Sequence, residues 1–141
     1  MQKTHTNKEE QIKRAMDQLV GQGNLDVVEE IFSAYYTAHA GDKDYNGHKF
    51  LKRFAKQLRS AIPDIQILKI EFLAQEDQTI TWQRTLSGTH KANMMGIPPS
   101  EKKVKWSDMV VTRFEGGKIT EEWVVSELAG QLLLSLPAIE P

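Results

Sequence analysis

Residues 79–90 read TITWQRTLSGTH, a stretch in which apolar and polar side chains alternate along the chain. The even-numbered positions include Ile80, Trp82 and Leu86, whereas the odd-numbered positions are threonine, serine and glutamine. Successive side chains of a β-strand point to opposite faces of the sheet. The stretch therefore predicts a strand whose even face is buried, and this buried face also carries Arg84 and His90.

Three further segments show the same period of about two, near residues 65–74, 103–114 and 118–127. Residues 75–78 form a short polar turn between the first two strands, and Gly116-Gly117 suits a tight hairpin whose central residues need positive φ. Four consecutive strands with such connections predict an antiparallel sheet.

The chain before Pro63 has a helical period instead. Residues 8–20 carry an apolar stripe, Asn24 caps a short second helix that includes Phe32, and a third helix with a buried stripe over residues 50–62 stops at Pro63. Helices followed by strands favour an α+β fold in which three N-terminal helices pack on one face of a curved sheet.

The length of 141 residues fits a single domain spanning residues 1–141. We expect residues 1–7 to form a disordered tail, residues 40–47 to form a loop, and residues 128–136 to form a short helix or to cover a sheet edge.

The composition excludes several classes of function. A net charge of −1 argues against binding nucleic acid or an anionic membrane surface, because neither would experience a strong attractive field. The chain has no cysteine, so thiolate nucleophiles and thiolate metal sites are absent. The polar start lacks the features of a signal peptide, which makes a cytoplasmic location the expectation.

Ionisable residues recur on the faces predicted to be buried. Asp108 shares a face with Trp106 and Val110, and Glu127 lies on the same face as Ile119 if alternation continues through the last strand. Because an unpaired charge is costly in a dry interior, inward ionisable groups are usually paired or border water.

Two interpretations of these groups are open. In the structural one, Arg84 forms a buried ion pair with Asp108 or Glu127, and His90 is a hydrogen-bonded core histidine. In the functional one, the same side chains line a polar cavity in which a carboxylate acts as acid or base and Arg84 or His90 stabilises an oxyanion.

Other site types find less support. The histidines lack metal-ligand spacing, so no metal site is expected, and the sequence has neither GxSxG nor a glycine-rich phosphate-binding fingerprint. Residues 93–99 form a loop in which Met94 and Met95 either fit an irregular apolar ligand or fill space.

Several short motifs together resemble one family. Gly88-Thr89-His90 followed by residues 95–99, MGIPP, is the most specific, and residues 113–119, RFEGGKI, support it. Further support comes from Tyr36 with His39, from residues 62–64, IPD, and from Trp123. These motifs resemble the SnoaL-like polyketide cyclases, or ester cyclases, of the nuclear-transport-factor-two-like superfamily.

This resemblance implies a cone-shaped sheet that encloses a cofactor-free pocket and often assembles into homodimers or homotetramers through the sheet. It also implies an intramolecular aldol ring closure on a polyketide ester, with an acid/base side chain moving protons. The chain departs from the family pattern at Glu127, where aspartate is common, at Val124, often aspartate, and at Ser100-Glu101, which replace Thr-Gly.

The leading hypothesis is a cofactor-free cyclase or isomerase acting on an apolar, carbonyl-bearing small molecule. Asp108 or Glu127 would remove a C–H proton while His90 or Arg84 donates a hydrogen bond to the enolate oxygen. Residues expected to shape the pocket are Tyr36, His39, Trp82, Met94, Met95, Trp106 and Trp123. The alternatives are a non-catalytic module that holds a hydrophobic molecule or a partner protein, and an enzyme of hydration or hydrolysis.

Overall fold

The structure, a computed structural model, describes residues 4–137. Residues 1–3 of the predicted tail lie outside the described residues, whereas residues 4–7 belong to the first helix. The helical elements are α1 (Thr4–Arg14), a π-helix that continues it (Ala15–Gly21), α2 (Val27–Ile31), α3 (Gly47–Ala61) and α4 (Leu128–Leu134).

A six-stranded, curved and unclosed sheet forms the other layer, which confirms the predicted α+β class. Its strands are β1 (Phe32–Ala40), β2 (Lys43–Asn46), β3 (Gln66–Glu76), β4 (Thr79–Thr89), β5 (Lys103–Glu115) and β6 (Lys118–Ser126). They lie in the order β2-β1-β6-β5-β4-β3. The β1–β6 pair is parallel, and the other four pairs are antiparallel.

The β1–β2 hairpin lies where the sequence predicts the end of a helix and a loop. Phe32 begins β1 instead of ending the second helix, and the predicted loop at residues 40–47 contains β2, with Gly41 in the turn at φ 65°. The main partner of β1 is β6, more than 80 positions later, so local periodicity carries no signal of this pairing.

Alternation in β4 and β5 agrees with the prediction. In β4, Ile80, Trp82 and Leu86 are buried, and His90 immediately after the strand is fully buried. In β5, every even position from Val104 to Phe114 is buried. These side chains form the concave face of the sheet, on which the helices and the π-helix pack.

Alternation in β6 is interrupted near its start, and the predicted faces of this strand are wrong. Phe114 pairs with Ile119 but Arg113 pairs with Glu121, so Thr120 is an extra residue in a β-bulge. A one-residue slip moves every later side chain to the opposite face. Glu122 therefore points inward, whereas Trp123 lies on the convex face.

Glu127 also lies elsewhere than predicted. It follows the end of β6, directly before α4, and its side chain is exposed. Its backbone N–H donates to the carbonyl of Ser107 at 3.0 Å, and its Oε1 accepts from the Ser107 N–H at 3.1 Å. Glu127 thus joins α4 to β5 and does not enter the concave face.

The Gly-Thr pair that precedes His90 has a structural explanation. A Cβ atom on Gly88 would lie only 2.2 Å from Cγ2 of Ile62, which is fully buried at the end of α3. The Thr89 backbone N–H and hydroxyl both donate to the Asp64 carboxylate, at 2.6 and 2.8 Å. The end of β4 is thereby fixed against the connection between α3 and β3.

Candidate functional site

An ion pair occupies the middle of the concave face. Arg84 and Asp108 are direct cross-strand partners on β4 and β5, and Nε of Arg84 donates to Oδ2 of Asp108 at 2.7 Å. The guanidinium also lies 5.4 Å from the ring centroid of Trp82 and contacts Sδ of Met16 at 3.4 Å. Oδ1 of Asp108 is buried and has no hydrogen-bond partner among the described residues.

A second set of polar side chains, connected by hydrogen bonds, extends over four neighbouring strands of the same face. The Tyr36 hydroxyl on β1 is bonded to Oε1 of Glu122 on β6 at 2.8 Å, and Oγ1 of Thr112 on β5 donates to Oε2 of Glu122 at 2.5 Å. Nε1 of Trp82 on β4 donates to Oγ1 of Thr112 at 2.8 Å. All four residues are buried.

The two groups interact electrostatically through Arg84. Burial raises the pKa of Glu122, although the Thr112 hydrogen bond and the positive charge of Arg84 oppose the shift. Burial also raises the pKa of Tyr36 well above its usual value, with the charge of Glu122 acting in the same direction and that of Arg84 opposing it.

His90 does not join these groups. It lies six residues beyond Arg84, which corresponds to about 20 Å along an extended strand. Its side chain is fully buried, and neither ring nitrogen has a hydrogen-bond partner within the described part of the chain. His90 and Arg84 therefore share a face, as predicted, but not a site.

His39 and Trp123 lie on the convex face of the sheet. Their rings stack with centroids 5.2 Å apart, and the imidazole contacts Asp44 at 2.7 Å and Glu121 at 2.6 Å. These bonds, chiefly the one to Glu121, raise the pKa of His39. Arg113 completes the cluster by donating to Glu121. Neither His39 nor Trp123 shapes the interior.

The remaining predicted pocket residues are divided between interior and surface. Tyr36, Trp82 and Trp106 are buried on the concave face. In the loop after His90, Met94 is buried whereas Met95 is exposed at a positive φ of 54°.

Sequence reasoning missed Glu122 and the partnership of Thr112 with it. Thr112 lies on the correctly predicted inner face of β5, but a neutral hydroxyl on a buried face does not by itself indicate a functional site. Uninterrupted alternation from Ile119 would place Glu122 on the outward face, and the bulge at Thr120 brings it inside instead. The hairpin at Gly116-Gly117 was the available signal, since bulges are frequent near such turns.

The polar side chains of the concave face are bonded within two groups, the Arg84–Asp108 ion pair and the hydrogen-bonded chain that includes Glu122. Two open surface depressions lie elsewhere on the described chain. One, of about 410 Å³, lies between the end of the π-helix and the start of β3, and one of about 380 Å³ runs along α1.

No cluster of three or more histidine, aspartate or glutamate side chains within residues 7–137 has a metal-binding arrangement. None of the helices in this part of the chain has the length and apolar character needed to cross a bilayer.

A curved sheet whose concave face is covered by helices and carries buried ionisable groups defines the class as an α+β cone domain. The family model for the SnoaL-like polyketide cyclases matches residues 10–133, and the chain belongs to this family.

Solved structures show the same fold. A proposed SnoaL-like polyketide cyclase from Jannaschia sp. CCS1 has a TM-score of 0.83 and 20% identity, covering 96% of this chain and 94% of that one. A proposed polyketide cyclase from Acidithiobacillus ferrooxidans has a TM-score of 0.76 and 22% identity, with coverages of 91% and 93%. AclR, a proposed hydroxylase from Streptomyces galilaeus, has a TM-score of 0.72 and 21% identity, with coverages of 92% and 98%. No curated protein matches the sequence.

Proposed function

We propose that the protein is a cofactor-free acid/base enzyme that closes a ring in, or isomerises, an apolar molecule bearing a carbonyl group. The observation that supports this proposal best is Oδ1 of Asp108, a buried oxygen without a hydrogen-bond partner in the described chain, beside the guanidinium of Arg84. One oxygen of this carboxylate is held by a hydrogen bond and the other has no partner. The second oxygen can therefore accept a proton while the first keeps the side chain in position.

In this scheme Asp108 is the base and Arg84 the electrophilic partner. Oδ1 of Asp108 removes a proton from the carbon next to the substrate carbonyl, and the Nη atoms of Arg84 stabilise the negative charge that develops on the enolate oxygen. The enolate carbon then attacks a second carbonyl, and the alkoxide oxygen that forms takes the proton back from Asp108. In an isomerisation of a conjugated substrate, Asp108 instead returns the proton to a different carbon of the extended enolate. His90, too distant along β4, and the exposed Glu127 have no part in this step.

Access to Asp108 and Arg84 requires a local displacement at the π-helix. Met16 lies in the π-helix and covers Nη1 of Arg84, while the Arg84 side chain keeps 17% of its surface exposed. Methionine is flexible and fits irregular apolar shapes, and π-helical segments are frequent at functional sites. A planar apolar substrate would take the place of the Met16 side chain beside the Arg84 guanidinium.

The test uses 2-tetralone, an apolar aromatic ketone whose hydrogens next to the carbonyl exchange with solvent. Mass spectrometry would follow deuterium uptake from D2O with and without protein. Wild type should accelerate exchange above the buffer rate, and Asp108→Asn should lose roughly 100-fold or more of that acceleration. Glu127→Gln is the matched control, because it removes a carboxylate outside the concave face. Equal rates for wild type and Asp108→Asn would contradict the assignment of the base.

A binding module without catalysis is the second candidate, favoured by the pairing of Arg84 with Asp108 in a closed interior. This alternative predicts that 2-tetralone quenches the fluorescence of the interior tryptophans without any acceleration of its exchange. The two measurements on one compound separate catalysis from binding.

The proposal includes self-association through the convex face. Tyr35 and Val125 are 87% and 76% exposed. Met109 is the cross-strand partner of Val125, and Trp123 lies two residues before Val125 on the same face of β6. A second copy would cover these side chains. Light scattering should show a dimer or tetramer in wild type and a smaller species for Val125→Glu. Leu134→Glu, at a 79% exposed position of α4, is the control, and a monomeric wild type would contradict this part of the proposal.

A further inference from the structure

The hydrogen-bonded chain from Trp82 through Thr112 and Glu122 to Tyr36 has a direction that is fixed at one end. The indole N–H of Trp82 can only donate, so Thr112 must accept from it. The hydroxyl hydrogen of Thr112 then goes to Oε2 of Glu122, which is 2.5 Å away. The direction of the last bond, between Oε1 of Glu122 and the Tyr36 oxygen, depends on the charge of Glu122.

The surroundings of Glu122 favour its neutral form. Arg84 forms its ion pair with Asp108, and none of the ion pairs within residues 4–137 includes Glu122. A buried carboxyl group without a paired cation becomes neutral because the charged form is costly to desolvate. The pKa of Glu122 is accordingly raised.

A neutral Glu122 reverses the hydrogen bond to Tyr36. Its Oε2 already accepts from Thr112, so Oε1 carries the proton and donates to the phenol oxygen of Tyr36. The hydroxyl hydrogen of Tyr36 is then released for another acceptor. If Glu122 were ionised, Thr112 and Tyr36 would both donate to it and Tyr36 would have no hydrogen left.

We propose that Tyr36 is a catalytic hydrogen-bond donor to the oxygen of the bound carbonyl compound, and that Glu122, as the neutral acid, is the positioning residue that directs its hydroxyl. The inference rests on the proposed function and adds an oxyanion-stabilising pair to it. Tyr36 and Arg84 then stabilise the same oxygen, while Asp108 handles the proton on carbon. The Arg84 guanidinium lies 5.4 Å from the ring centroid of Trp82, the residue at which the hydrogen-bonded chain to Tyr36 begins.

The charge of Glu122 can be measured without any ligand. In protein labelled with ¹³C at the glutamate carboxyl carbon, Glu122→Gln identifies the Glu122 resonance. We expect that resonance to report the neutral acid at about pH 7. The neighbouring Glu121 is an internal control, because its hydrogen bonds to His39 and Arg113 hold its pKa below the usual value. A Glu122 resonance that reports the carboxylate at this pH overturns the proposal, whether or not any variant folds.

The role of Tyr36 is tested by the binding of 2-tetralone and of tetralin, which has the same shape without the carbonyl. Tyr36→Phe should weaken 2-tetralone binding by roughly 5- to 10-fold, the loss expected for one hydrogen bond, and leave tetralin binding within about twofold. Glu122→Gln should retain most of the affinity, since its amide accepts from Thr112 and donates to Tyr36, whereas Glu122→Leu should resemble Tyr36→Phe. Glu121→Gln is the unaffected control.

Failure of either part can be recognised separately. Absence of 2-tetralone binding to wild type, or equal affinity of wild type and Tyr36→Phe, overturns the donor assignment. The proposed function fails instead if Asp108→Asn leaves deuterium exchange unchanged. Loss of exchange in Asp108→Asn together with a normal affinity of Tyr36→Phe would keep Asp108 as the base and reject the donor role of Tyr36.

Discussion

Replacing Gly88 with alanine should test how tightly the end of β4 packs against α3. The added Cβ would lie 2.2 Å from Cγ2 of Ile62, whereas ordinary contact begins at 3.4 Å, so atoms must separate by 3.4 − 2.2 = 1.2 Å. Ile62 has no exposed surface into which it could move. The backbone of Ile65 at 3.2 Å and the Asp64 carboxylate at 3.0 Å close the other directions.

The expected cost combines overpacking with weaker hydrogen bonds. Overpacking a buried position costs about 1–3 kcal/mol, and displacement of Asp64 would also strain its two bonds to Thr89. We expect Gly88→Ala to lower the free energy of unfolding by about 3 kcal/mol. For a chain of this length that corresponds to a fall in Tm of roughly 9 °C. Urea titration and thermal unfolding followed by circular dichroism would measure both quantities.

Two further variants show whether the mechanism is correct. Gly130→Ala lies in α4 with no atom within 4 Å of the new Cβ, so it should leave stability unchanged or raise it by up to about 1 kcal/mol. Ile62→Ala removes the Cγ2 atom and should make a second change at Gly88 much less costly than it is in wild type. A loss below about 0.5 kcal/mol for Gly88→Ala, or additive effects with Ile62→Ala, would refute the reasoning.

The other predictions concern charged groups. Because the pKa of Glu122 is raised in the folded state, the free energy of unfolding of wild type should fall as pH rises above 4.5, the ordinary pKa of glutamate. Urea unfolding of Glu122→Gln should lack this contribution. The same dependence of stability on pH in wild type and Glu122→Gln would contradict the prediction. Because the pKa of His39 is raised, the stabilisation of the folded state by protonated His39 is complete below about pH 6.5 and is lost as pH rises through the pKa of the folded state. An NMR titration should show this raised pKa in wild type and a lower pKa in Glu121→Gln. Arg84→Met should cost about 3–5 kcal/mol by leaving the Asp108 charge buried and unpaired, and a thermal unfolding profile like that of wild type would rule this out.

The strands that the sequence predicts well are those with a clean two-residue period. In β4 and β5 the inner face was assigned correctly, including Arg84 and Asp108, because regular pairing leaves the alternation undisturbed. Their mutual pairing was one of the open alternatives, and it is the one that the structure contains. The face that a side chain occupies is a local property of a regular strand, which is why it could be predicted from the sequence.

The incorrect predictions of side-chain orientation come from structural features that the alternation of apolar and polar residues does not reveal. The bulge at Thr120 exchanges the two faces of β6 and so brings Glu122 inside in place of Glu121. The end of β6 before Glu127 removes that residue from the interior. His90 shows a third limit, since a shared face does not imply a shared site when residues are six positions apart on a strand.

The parallel pairing of β1 with β6 also constrains the order of folding. Residues 32–40 find their main partner only in residues 119–124, whereas β3 to β6 pair with neighbours that precede or follow them directly. On a ribosome, the meander from β3 to β5 can therefore form while the β1–β2 hairpin still has no sheet to join. The hairpin docks only after residues 119–124 have emerged, a non-local step of the kind that slows folding. The buried Tyr36–Glu122 bond is consequently among the last contacts to form during synthesis.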